Sequence, residues 1–67
     1  MTIFCIRTKR PEDASWRYVG KRGGITDERS DAQRWDIKTA ADLMIPHFRL
    51  KWPGREFKAA PLTAHSV

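Results

Sequence analysis

The stretch DIKTAADLMIPHFRLKW, Asp36 to Trp52, decides the fold. No other part of the 67-residue chain is long and periodic enough for a helix of several turns. Asp36 is a suitable N-cap, because its carboxylate can accept from the free amides of a first turn. At about 100° per residue, Ile37, Ala40, Ala41, Met44 and Phe48 share one apolar face, with Ile45 and Trp52 on its flank. Pro53-Gly54 then stops the helix. This predicts an amphipathic helix lying on a small sheet.

Two features of the stretch go beyond a plain lid. Pro46 sits inside the pattern, where it removes one helical hydrogen bond and crowds the preceding turn at a cost of about 3 kcal/mol. A kink near Asp42–Pro46, or a break into two helices, is expected. Leu43, His47 and Leu50 recur at helical spacing on the back of the core face. If a kink rotates the second half, one of these leucines joins the core. If the helix runs straight, they form an exposed apolar stripe suited to another protein.

The remaining residues read as short strands and turns. Thr2–Thr8 carries the apolar run Ile3-Phe4-Cys5-Ile6, which suits a central strand. Lys9–Ser15 is a polar loop. Trp16–Gly20 is a second strand, with Trp16 and Tyr18 on one face and Arg17 and Val19 on the other, paired with the first as a hairpin. Lys21-Arg22-Gly23-Gly24 is a tight turn, and Ile25-Thr26 adds a short strand. Ser30 or Asp31 can cap one helical turn through Gln33, and Arg34-Trp35 returns to the sheet or its rim. Glu56–Ala60 is the last strand, with Phe57 and Ala59 toward the core and Pro61 marking an edge. Leu62–Val67 reads as a frayed tail. Residues 1–67 thus form a single domain of α+β class: a small antiparallel sheet of three to four strands with one main helix packed on one face, in the order ββ(β)αβ.

At this length about 60% of the unfolded chain's surface is buried, which leaves a small core and no room for a deep, well-supported substrate pocket. Thirteen Lys and Arg oppose eight acids, for a net charge of +5 spread along the whole chain. A basic surface points to an acidic partner: nucleic acid, an acidic protein face or a nucleoprotein. Cys5 is the only cysteine. It reads as a buried thiol in a reducing, cytoplasmic setting. The apolar start is too short for a signal peptide, and no membrane span is present.

No residue set reads as catalytic. Nucleophilic chemistry needs a nucleophile, a base and an orienting group within reach. The candidates reduce to Cys5 with His47, because His65 falls in the tail. One cysteine and two histidines lack zinc-type spacing, so no metal or cofactor is expected. Glu12-Asp13 and Asp27-Glu28 read as solvated loop charges. Gly20-Lys21-Arg22-Gly23-Gly24 lacks phosphate-loop spacing and reads as a glycine turn carrying two cations. Aromatics alternate with cations at Trp16-Arg17-Tyr18, Arg34-Trp35 and Lys51-Trp52, a pattern that suits single-stranded nucleic acid if the rings are exposed. A core of this size also needs large aromatics, and at least two of the three tryptophans are expected to belong to it.

Tyr18-Val19-Gly20, Gly23-Gly24-Ile25-Thr26, Asp31-Ala32-Gln33-Arg34-Trp35, Ala40-Ala41 and Trp52-Pro53-Gly54 follow one another in an order that resembles small accessory proteins of bacteriophage and mobile-element genomes. The resemblance is one of format: its motifs are turns and core positions, and it carries no catalytic residue. It implies a non-enzymatic inhibitor that covers a surface of a host protein or nucleoprotein complex, in its most specific form an anti-CRISPR protein acting on a CRISPR effector. Lys9, Arg10, Arg17, Lys21 and Arg22 would steer such docking, and Leu43, His47 and Leu50 would anchor it, with the chain acting as a monomer or small homo-oligomer. The alternative expectation is non-specific nucleic-acid binding through the basic surface and exposed aromatics, with affinity falling steeply as salt rises.

Overall fold

The computed structural model describes residues 2–62. Strand β1 (Phe4–Lys9) is followed by β2 (Arg17–Val19), β3 (Ile25–Thr26), a 3₁₀ turn (Arg29–Asp31), helix α1 (Lys38–Lys51) and β4 (Glu56–Pro61). The strands form one antiparallel sheet in the order β3-β2-β1-β4. The expected class and element order are therefore present, with one helix on one face of four strands.

The apolar run in β1 places that strand inside the sheet, between β2 and β4. Alternation along it separates two faces. Phe4, Ile6 and the buried Thr8 face α1, while Cys5, Arg7 and Lys9 face away. The pairing carries the same division across the sheet. Thr8 lies opposite Phe57, and Ile6 opposite Ala59, on the helix side. Ile6, Val19, Ala41, Phe48 and Phe57 form the buried cluster, with Trp35, Met44, Ile45 and Trp52 packed against it. Phe48 is its aromatic centre. Ring centroids of Trp35, Trp52 and Phe57 lie 6.5, 5.8 and 6.4 Å from its own, and His47 meets it edge-on at 5.3 Å. Two tryptophans, Trp35 and Trp52, thus belong to the core, and Trp16 does not.

Between β3 and α1 the chain turns back to the sheet. Gly20 bridges to Ala32, and Phe4 bridges to Trp35 through a reciprocal pair of backbone hydrogen bonds of 2.8 and 2.9 Å. Residues 32–35 so link the end of β2 to the start of β1. Gly20 permits this close passage, since a Cβ there would stand 3.0 Å from the Gly24 carbonyl oxygen and 3.3 Å from Thr26 Cγ2. The expected helical turn forms slightly earlier, over Arg29–Asp31, with Glu28 rather than Ser30 or Asp31 at its N-cap position. The return of Arg34-Trp35 to the sheet rim is as expected.

Helix α1 differs from expectation at three points. Asp36 is not the cap: Ile37 holds that position in extended conformation, and no side chain caps the first turn. Ile37 therefore precedes the helical face and is 62% exposed instead of buried. The helix also runs unbroken through Pro46. The carbonyl that loses its partner belongs to Asp42. Asp42 and Pro46 are both exposed, so water can satisfy that carbonyl and the packed face is undisturbed. Leu62, expected to belong to a frayed tail, instead donates its amide to the Ile3 carbonyl at 2.7 Å and extends the β1–β4 ladder. Residues 63–67, including His65, lie outside the described residues.

Candidate functional site

The unbroken helix decides where Leu43, His47 and Leu50 point. All three are exposed, Leu43 at 74% and Leu50 at 85%. Neither leucine joins the core, so rotation of the second half of the helix is excluded. With exposed Pro46 between them, they form one outward apolar stripe on the side of α1 away from the sheet.

The five hairpin cations are not one surface. Lys9 lies on the sheet face away from α1, 3.9 Å from Glu56. Arg10 sits in the β1–β2 loop and is held by Glu12 at 3.6 Å and Asp13 at 3.3 Å. The Arg10 amide and guanidinium both donate to Asp13, and these bonds hold the Asp13 carboxyl below the usual carboxylate range. Arg17 pairs with Asp27 at 3.1 Å at the rim of the helix side. Lys21 and Arg22 occupy the β2–β3 turn, and among the described residues no acid pairs with either.

A different constellation occupies the sheet face opposite α1. Tyr18 lies opposite Arg7, and Arg7 opposite Lys58, so the three form a row across β2, β1 and β4. The Arg7 guanidinium lies 4.7 Å from the Tyr18 ring centroid. Beside this row, Trp16 reaches across the sheet. Lys58 Nζ sits 4.3 Å from its ring centroid and Lys9 Nζ 5.5 Å. Arg7 Nη2 donates to the Trp16 carbonyl at 3.3 Å, while its buried Nε finds no acceptor among the described residues. Trp16 and Tyr18 are half-buried and Lys58 is exposed. Sequence reading paired Trp16 with Tyr18 on one face but missed Arg7 and Lys58. Strict alternation of β1 supplied the signal for Arg7; Lys58 needed the β1–β4 register.

The grouping of Cys5 with His47 is not formed. Cys5 is fully buried and belongs to the sheet face turned away from α1, whereas His47 is exposed on the helix. Burial raises the Cys5 thiol pKa, against the opposing influence of Arg7 and Arg29. Among the described residues, no three or more His, Cys, Asp or Glu side chains are placed to hold a metal ion. No helix among the described residues is long and apolar enough to cross a membrane. No family model, curated protein or solved structure matches the chain. The two exposed surfaces, the helix stripe and the cation–aromatic sheet face, are therefore the candidates for function.

Proposed function

We propose that the chain is a non-enzymatic binding protein that covers a surface of a host protein or nucleoprotein complex and thereby inhibits it. The observation that carries this reading is the outward stripe of Leu43, His47 and Leu50 on a helix that stays whole through Pro46. Burying a leucine is worth about 1.5–3 kcal/mol, so two on one stripe make an effective anchor. The +5 net charge favours an acidic partner and speeds its encounter. Lys21 and Arg22 are the cations of the predicted set most available for that role, since Arg10 and Arg17 are engaged by acids of the chain itself. The narrower reading, an anti-CRISPR-type inhibitor of a CRISPR effector, draws support only from the phage-type format of the sequence. A cytoplasmic site of action accords with the lone buried thiol.

Affinity purification from a bacterial host lysate, followed by mass spectrometry, tests the reading. The unaltered chain should recover a stoichiometric protein partner, and the Leu43→Asp/Leu50→Asp variant should lose it. Recovery of no such partner, or equal recovery by the variant, contradicts the proposal.

A further inference from the structure

We infer that the sheet face opposite α1 is a binding site for single-stranded nucleic acid, with Trp16 as a base-stacking platform and Arg7, Lys9 and Lys58 as phosphate contacts. This site is separate from the helix stripe and does not depend on the reading given above.

Three observations converge on it. The first is the arrangement of rings and charges. Trp16 and Tyr18 stand on the sheet face that the helix leaves uncovered, and three cations surround them. Single-strand binders combine such features, because every base has a π-face and every nucleotide a phosphate. The second is how little carboxylate answers those charges. Among the described residues, no acid pairs with Arg7 or Lys58, and Glu56 reaches Lys9 only at 3.9 Å. The third is Arg7 itself. It lies centrally in the row Tyr18–Arg7–Lys58, and the described residues offer its guanidinium a ring and one carbonyl but no carboxylate. A phosphate against the Nη groups would answer the charge that the chain leaves unanswered.

In the free protein the ammonium groups of Lys58 and Lys9 rest against the indole. On binding, each would move to a phosphate and give up its ring contact, so that a base takes its place on the indole. The geometry favours a single strand over a duplex. Bases must be unstacked to lie on a side chain, and a duplex keeps them inside. Reading a duplex in its major groove calls for a helix or β-ribbon, and the outward stripe of α1 presents Leu43, His47 and Leu50 instead.

Fluorescence anisotropy with labelled oligothymidine, oligouridine and a mixed-sequence DNA duplex, at about 50 and about 200 mM salt, tests the site. Both single strands should bind more tightly than the duplex, and comparison of the two separates a DNA from an RNA preference. Three neutralised phosphates predict a slope of log K against log salt of about −2. Trp16→Ala and Lys58→Glu should each weaken binding about tenfold, whereas Arg49→Glu, on the helix, should leave it unchanged. Circular dichroism confirms that each variant folds. Lys58 is exposed, so Lys58→Glu decides the matter if Trp16→Ala does not fold. Absence of single-strand binding at the lower salt overturns the proposal. So does a duplex bound as tightly, or an Arg49→Glu loss equal to that of Lys58→Glu.

Discussion

Lys51 Nζ donates to the Gly23 carbonyl oxygen at 2.9 Å, tying the last turn of α1 to the turn between β2 and β3. Lys51→Met keeps the aliphatic stem and removes the donor. A loss of about 0.5–1.5 kcal/mol is expected in urea unfolding. Faster hydrogen exchange should be confined to the β2–β3 turn. Gly23 has a φ of +92°, so Gly23→Ala should cost about 1–2 kcal/mol whatever the room around it. Equal stability of the Ala variant would show that the turn adopts another conformation in solution.

Phe48 has the larger effect. Its ring meets those of Trp35, His47, Trp52 and Phe57, which come from three parts of the chain. Phe48→Ala should cost about 3–5 kcal/mol. A domain of this size has about that much stability in total. The variant should therefore lack a cooperative thermal transition, while Phe48→Leu should retain one at a lower midpoint.

The opposite outcome is expected on the outer side of the same helix. Leu43→Ser and Leu50→Ser remove apolar surface that the fold leaves in water, so stability should change by no more than about 0.5 kcal/mol. Partner binding should fall even though the melting temperature is preserved. A drop of several kcal/mol in either variant would place that leucine in the core and remove it from the docking surface.

Cys5 supplies a pH prediction. Burial raises its pKa, so the neutral thiol is favoured in the folded state. The sign follows from linkage: this stabilisation is complete below the ordinary thiol pKa and is lost as pH rises through the raised one. Alkaline unfolding should therefore be milder in Cys5→Ala relative to its own neutral-pH stability. At neutral pH a thiol reagent should label Cys5 only as fast as the protein opens, with the rate rising sharply in denaturant.

Asp13 titrates with the opposite sign. Its carboxyl is held low by the Arg10 amide and guanidinium, so the loop it closes gains from the charged form. That gain is present above the ordinary carboxylate pKa and disappears as pH falls through the lowered value. Asp13→Asn should lower stability slightly in the neutral region, flatten the acid limb by the same small amount and leave the acid end unchanged, the effect being small because the pair is exposed. NMR titration of the Asp13 carboxyl gives the direct check, and a pKa at the ordinary value would contradict the loop geometry.

Much of the fold was legible because each strand carried its own pattern. The apolar run around Cys5 predicted a central β1, Phe57 and Ala59 predicted the inner face of β4, and the spacing of Ala41, Met44 and Phe48 predicted the packed side of α1. Where the reading failed, local rules competed with position. Asp36 has capping chemistry, yet the chain begins its helix after Ile37. Pro46 takes one hydrogen bond from the helix, but the carbonyl that loses it belongs to exposed Asp42, where water can satisfy it and the packed face is untouched. The cations illustrate a further limit. Lys9, Arg10 and Arg17 are close in sequence, but alternation and the loop send them to different surfaces. Arg7 and Lys58, fifty-one positions apart, meet only through the register of β1 with β4.

That register also sets when the molecule can fold. β4 pairs along the whole of β1, from Phe4 with Pro61 to Lys9 with Glu56, so the first strand finds its long partner only in the last. Phe57, part of the buried cluster, arrives with it. During synthesis, α1 would emerge with its apolar side bare and β1 with one edge open, a condition that invites chaperones and aggregation. Native structure must await the final strand, and the large loop closed by that pairing should make the search slow for so short a chain.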